Sequence, residues 1–235
     1  MELQDVMRTT PATRSFTDEP VADETIKEIL DLARFAPSGG NRQVWHVIVL
    51  KDAKVRERIR ELYVLGWREY MAHLEAGLVA FAPVDHGRWP GPAVDLDRAR
   101  TTPSPNPFAD HLDEVPVLLL VTVELARLAV VDNGLDRQSI AGGASVYPFV
   151  HNMVLAARDL GLGGVMTTVL VRQEPAVRSL LGIPDGHAVA SLVAIGHPTR
   201  VVTKLQRAPV DEFTTVDHFS GSALLGDATV DPFDS

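Results

Sequence analysis

Few residues in this 235-residue chain have the types and spacing that chemistry requires. Serine, histidine and aspartate are all present, but no G-x-S-x-G elbow presents a nucleophile. Ser145, in the small-residue setting "GASVYP", reads as a helix cap or a packing serine. The eight histidines stand at 46, 73, 86, 111, 151, 187, 197 and 218 and form neither an H-E-x-x-H nor an H-x-H pair, so no metal centre is expected. Cysteine is absent, which removes disulfides, thiolate catalysis and cysteine-ligated metals. No G-x-x-x-x-G-K-[ST] phosphate loop occurs, and "GLGGV" at 161–165 follows a helix instead of opening one, so dinucleotide-loop mechanics do not apply.

Two features survive this sieve. The first is "APSGGNRQVW", between a helical run and an apolar one. Its two successive glycines permit left-handed backbone and let a flat ligand approach the chain. Ser38, Asn41 and Gln43 add hydrogen-bonding groups to that surface. The second is a set of separated cations, Arg8, Arg14, Lys204 and Arg207, which could converge on one phosphate, where a guanidinium gives bidentate contacts. Each also has a plain reading: an ordinary turn, and solvated surface charge.

The elements that must position these residues are legible from periodicity. A short helix is expected over 2–8. A second is expected over 24–35, with Ile26, Ile29, Leu30 and Ala33 on one face, Asp23 as cap and Pro37 as stop. "WHVIVLK" reads as a strand, "DAKVRERIRELYVLGWREYM" as one amphipathic helix or a pair. Residues 83–107 are dense in proline and glycine and read as a long irregular segment over the body, a candidate lid. "VPVLLLVTVE" suits a central strand covered on both faces. Residues 145–160 are apolar nearly all round and imply a buried helix closed at Gly161 and Gly163. "GVMTTVL" reads as an extended piece, "EPAVRSLLG" as a short helix, "AVASLVAIGHP" as a third strand, and 200–235 as a polar extension with scattered aromatics. The order implies one α+β domain over 1–235 with a mainly antiparallel or mixed sheet flanked by helices.

Hydrophobic residues make up 46%, enough for a sizeable core, and the net charge of −9 argues against a nucleic-acid or anionic-membrane surface. No apolar run approaches the roughly 20 residues a bilayer span needs, and the N-terminus lacks a secretory pattern. The expectation is a soluble cytoplasmic protein.

Against this background the sequence resembles the nitroreductase superfamily of FMN-dependent enzymes. "MRTTPATRSFTDEPVADETIKEILDLARFAPSGGNRQVWHVIVL" is similar to that family's N-terminal signature, and "DLGLGGVMTTVL…LLGIPDGHAVASLVAIGHP" to its second. The likeness covers 7–50 and 115–200 well and leaves 65–113 as a variable lid. It implies a nitroreductase-like fold and a domain-swapped homodimer with FMN at the interface. It implies Arg14 on the phosphate, Arg8 as a substitute where Thr10, Pro11 and Ala12 replace the family's basic pair and serine, and Lys204 and Arg207 from the C-terminal side. Pro37, Ser38, Gly39, Asn41 and Gln43 match the loop bordering the flavin, in many members from the partner subunit; Val44 replaces the usual proline. Met166, Thr167 and Thr168 match the segment along the isoalloxazine edge.

The implied activity is ping-pong hydride transfer from NAD(P)H through FMN to an electron-poor small molecule: a nitroaromatic, quinone or activated enone. No protein acid–base residue is obligatory, because the flavin carries the redox step. Thr167 or Thr168 hydroxyls could tune that step, or serve the strand alone. Alternatives are a flavin-storage protein without turnover and a dehalogenase or flavin-fragmenting relative. Trp67, Tyr70, His86, Arg88 and Trp89 of the lid are candidates for substrate contact or for packing.

Overall fold

The computed structural model describes residues 1–82 and 87–224. Within them a four-stranded sheet forms from β1 (Trp45–Val49), β2 (Val117–Glu124), β3 (Gly163–Thr167) and β4 (His187–Gly196), in the order β1-β2-β4-β3 and antiparallel throughout. β2 is buried from Val117 to Val123 because helices cover both its faces, which is why its sequence does not alternate.

On one face α2 (Asp23–Ala33) and α6 (Tyr147–Asp159) pack against Leu119, Val121, Val193 and Ile195. Trp45 stacks on Phe149 there, with ring centroids 4.5 Å apart. On the other face α3 (Ala53–Glu75), α5 (Pro107–Asp110) and α7 (Glu174–Leu181) meet Leu118, Leu120, Leu192 and Val165. α1 (Leu3–Thr9) lies against α6. The fold is the α+β, helix-flanked sheet expected, and the pairing resolves "mainly antiparallel or mixed" to antiparallel.

Several local expectations are corrected. α2 starts one residue earlier than Glu24, its N-cap is Ala22, and the Asp23 carboxylate pairs with Lys51 instead of capping. "DAKVRERIRELYVLGWREYM" is a single helix extending to Glu75; mid-helix Gly66 is kept because a Cβ there would lie 2.7 Å from Val169 O. The proline-rich stretch contains α4 (Leu96–Thr101) and the start of α5. Asp95 accepts from the backbone N–H groups of Asp97 and Arg98, and Asn106 from Phe108 and Ala109, so caps nucleate helices where composition suggested none.

An apolar run such as Trp45 to Leu50 suggests a core strand. β1 instead is an edge strand with half-buried side chains, since only β2 pairs with it. α6 closes at Gly161, in the left-handed region at φ +80°, whereas Gly163 already opens β3. Of the C-terminal extension, residues 200–224 are largely irregular with an exposed Phe213 and Phe219; Phe233 lies outside the described residues. No described helix is long and apolar enough to cross a membrane, and no described cluster of His, Cys, Asp or Glu could hold a metal ion.

Candidate functional site

At the β3 edge a glycine sets the geometry. A Cβ on Gly163 would sit 2.8 Å from the Thr13 side chain, so only glycine lets the N-terminal segment press onto the strand. Thr13 N–H donates to Gly164 O (3.0 Å), Thr17 N–H to His197 O (2.8 Å) and Thr199 N–H to Ser15 O (3.2 Å). These bonds fix the backbone on both sides of Arg14. Its exposed guanidinium makes one hydrogen bond among the described residues, a long 3.5 Å contact to Ala12 O. Most of its five N–H donors are therefore free for an anion.

Beneath Arg14 lies a residue that the sequence reading missed. Tyr63 of α3 is buried, and its hydroxyl is 3.0 Å from Thr167 Oγ1. Burial pushes its pKa up, while the Thr167 hydrogen bond and the Arg14 charge pull the other way. A tyrosine inside the apolar stripe of α3 needs a partner for its hydroxyl, and that was the available signal. Strand alternation turns Met166 to the opposite face, where it is partly exposed, and Thr168 lies exposed just past the strand end. Of the two threonines, then, Thr167 is buried with its hydroxyl on Tyr63, and Thr168 is exposed.

The lid is fastened to the chain that follows Thr168. Glu69 of α3 is fully buried, and its carboxylate accepts from Arg100 of α4 (2.8 Å), Arg172 Nε (2.8 Å) and Gln173 Nε2 (3.1 Å). The Arg172 guanidinium also lies over the rings of Phe81 (5.3 Å) and Trp89 (5.0 Å). Trp67 stacks on Tyr70 and donates to Ser104 O, and Arg88 donates to Leu135 O. Trp67, Tyr70 and Trp89 pack, while Arg88 is exposed; His86 lies outside the described residues.

The loop at residues 37–43 occupies the other edge. Ser38 Oγ accepts from Gln43 N–H (3.0 Å), and Gly39 N–H donates to Ser145 Oγ (3.0 Å). Ser145 thus buttresses this loop from the start of α6. Gly40, Asn41 and Gln43 all lie in the left-handed region, at φ +60°, +53° and +48°. Gln43 Nε2 donates to Asn41 O and Oδ1, and Arg42 and Arg127 exchange guanidinium-to-carbonyl bonds. Two non-glycine residues held there cost about 1–2 kcal/mol each, which the side-chain and buttress bonds offset. The outcome is an exposed, stiffened polar rim bounded by Pro37.

Of the remaining cations, Arg8 is exposed at the end of α1, and Lys204 and Arg207 are exposed on the extension. Buried Arg158 links their neighbourhoods, donating to Thr9 Oγ1 (2.9 and 3.1 Å) and to Val202 O (3.1 Å). Arg207 itself donates to Gln206 O. The structure therefore brings Arg14, Thr167 and the root of the extension to the β3 edge. It does not bring the loop to them: three strand spacings, about 14 Å, separate the two edges.

The donor set fits FMN chemically. Arg14 offers unspent guanidinium donors for a phosphate, and the loop offers a flat polar backbone rim for a ring. Within one chain these halves lie apart.

The profile described as "Nitroreductase family" matches residues 7–197. Rat (Rattus norvegicus) iodotyrosine deiodinase 1 is 29% identical over 85% of this chain, which spans 64% of that protein's length. Nitrobenzene nitroreductase of Ectopseudomonas oleovorans is 27% identical over 92% of this chain and 97% of its own. Among solved structures, the NADPH:FMN oxidoreductase from Vibrio harveyi complexed with NAD+ superposes with a TM-score of 0.63 at 18% identity, covering 94% of this chain and 80% of that one; it shares the fold. With the profile spanning most of its length, the chain belongs to the nitroreductase family.

Proposed function

We propose that this protein is an FMN-dependent oxidoreductase that takes a hydride from NAD(P)H and passes reducing equivalents, in ping-pong fashion, to an electron-poor acceptor such as a nitroaromatic, quinone or activated enone. The observation that carries this reading is Arg14: a cation pinned beside the β3 strand by backbone bonds on either side, with most of its donors unspent among the described residues. FMN, when bound, supplies the redox chemistry. The chain's own residues do the rest. Arg14, with Arg8, Lys204 and Arg207 as further cations, holds the phosphate. Residues 166–168 line the ring edge, and the lid segment excludes water from the reacting face.

The placement of the two half-sites supports a domain-swapped homodimer in which residues 37–43 of one chain border the flavin held by the other. Exposed apolar Phe35, Val131 and Ile140, on the segments that carry or buttress the loop, are consistent with such pairing. The setting proposed is cytoplasmic.

Purified protein should be yellow, release FMN on denaturation, and bleach on anaerobic addition of NADPH or NADH. A colourless chain that takes up no FMN would overturn this reading. Colour without NAD(P)H oxidation would support storage instead. A second reading, reductive dehalogenation of a halogenated phenol, is favoured by the likeness to the deiodinase; halide release from an iodinated phenol by the reduced protein tests it.

A further inference from the structure

Two buried hydroxyls share one hydrogen bond. Tyr63 is 3% exposed and Thr167 9%, and their oxygens lie 3.0 Å apart. Among the described residues neither side chain has another hydrogen-bond partner. The pair carries two protons and one bond, so one proton is left without an acceptor among the described residues. A buried donor left that way is unfavourable, so an acceptor from outside is called for.

Which proton is left over follows from chemistry and position. A phenol is the stronger donor and an aliphatic hydroxyl the better acceptor. Tyr63 sits on α3 beneath the sheet and Thr167 is the last residue of the edge strand β3. Burial raises the Tyr63 pKa, so the phenol keeps its proton through the neutral range. Donation from Tyr63 to Thr167 satisfies the deeper group and turns the Thr167 proton outward; the reverse would strand the phenol proton in the core.

We propose that Tyr63 is a positioning residue: its phenol fixes the Thr167 hydroxyl as a donor toward the ligand edge that residues 166–168 line, matching an acceptor atom, a ring nitrogen or carbonyl oxygen, of a flat heteroaromatic ligand. With FMN as that ligand, the inference rests on the function proposed above and adds to it the group that sets the direction of a hydrogen bond to the ring. Phenylalanine at 63 keeps the ring buried and removes only the lock.

The test has two arms. In the flavin-loaded protein, Tyr63→Phe is expected to retain FMN, to weaken its binding about threefold to tenfold, and to reduce at least twofold the yield of one-electron-reduced flavin during stepwise photoreduction. Thr167→Val should do the same, Thr167→Ser should largely restore wild-type behaviour, and the double variant Tyr63→Phe/Thr167→Val should be no worse than Thr167→Val alone. Unchanged affinity and reduction behaviour in Tyr63→Phe would overturn the proposal. In the flavin-free chain, NMR should find a slowly exchanging Tyr63 hydroxyl proton with a cross-peak to the Thr167 methyl group, lost in Thr167→Val. A bonded proton on Thr167 with Tyr63 as acceptor would overturn it as well. Failure to take up FMN would defeat the proposed function, while the NMR arm would still decide the direction of the hydroxyl pair.

Discussion

The two edges of the sheet are built in opposite ways. The β3 edge is covered: the segment at 13–17 lies along it, Tyr63 props Thr167 from below, and the Glu69 pin ties the following turn to the lid. The β1 edge is open, with half-buried side chains and a loop held in strained left-handed backbone by Ser38 and Ser145. One edge offers charge and a buried hydroxyl pair, the other a stiff polar rim. Neither edge alone offers both halves of the proposed flavin site, and about 14 Å of sheet stands between them. The proposed function therefore calls for a pair of chains whose unlike edges meet.

That contrast can be broken from either side. The largest effect is expected at the covered edge. Glu69→Ala leaves two guanidinium groups around a buried gap and should destabilise the fold by about 3–5 kcal/mol in urea unfolding. A loss under 1 kcal/mol would mean that the pin does not hold the lid. Arg14→Ala should weaken FMN binding about 10–100-fold by equilibrium titration, with little change in unfolding midpoint, because the side chain is exposed and makes one weak internal bond.

At the open edge the effects are smaller. Gly40→Val places a branched side chain at φ +60° and should cost about 1–2 kcal/mol. Ser145→Ala removes the acceptor of Gly39 N–H and should cost about 1 kcal/mol, with raised amide exchange confined to residues 38–43. Global destabilisation by Ser145→Ala would contradict the separation of the two edges.

The strands and long helices were legible because burial writes itself as periodicity: the unbroken apolar run of β2 is interior throughout, and α6 buries the face that carries Phe149, Val150, Met153 and Ala157 while Tyr147, His151 and Asp159 stay exposed. The short helices of the lid were hidden by proline and glycine, although the Asp95 and Asn106 caps carried the signal. That β1 is an edge strand was not legible, since strand order depends on pairing and not on the strand's own residues. Arg14 and the loop stood out in the sequence by residue type, and resemblance joined them. Tyr63 and Glu69 did not stand out, because each works through a partner about a hundred residues away. Helical spacing shows that a polar group is buried but not what it meets.

The central claim is that each flavin site takes Arg14 from one chain and residues 37–43 from the other. The direct measurement is subunit complementation. Arg14→Ala and a loop variant, Asn41→Glu/Gln43→Glu, are purified separately, unfolded, mixed and refolded, and the doubly tagged hybrid is isolated. If the edges come from different chains, the hybrid has one intact site and one doubly defective site, and should bind FMN at wild-type affinity with half the wild-type stoichiometry. If both come from the same chain, every hybrid site carries one defect, and the absence of any wild-type-affinity FMN would contradict the account.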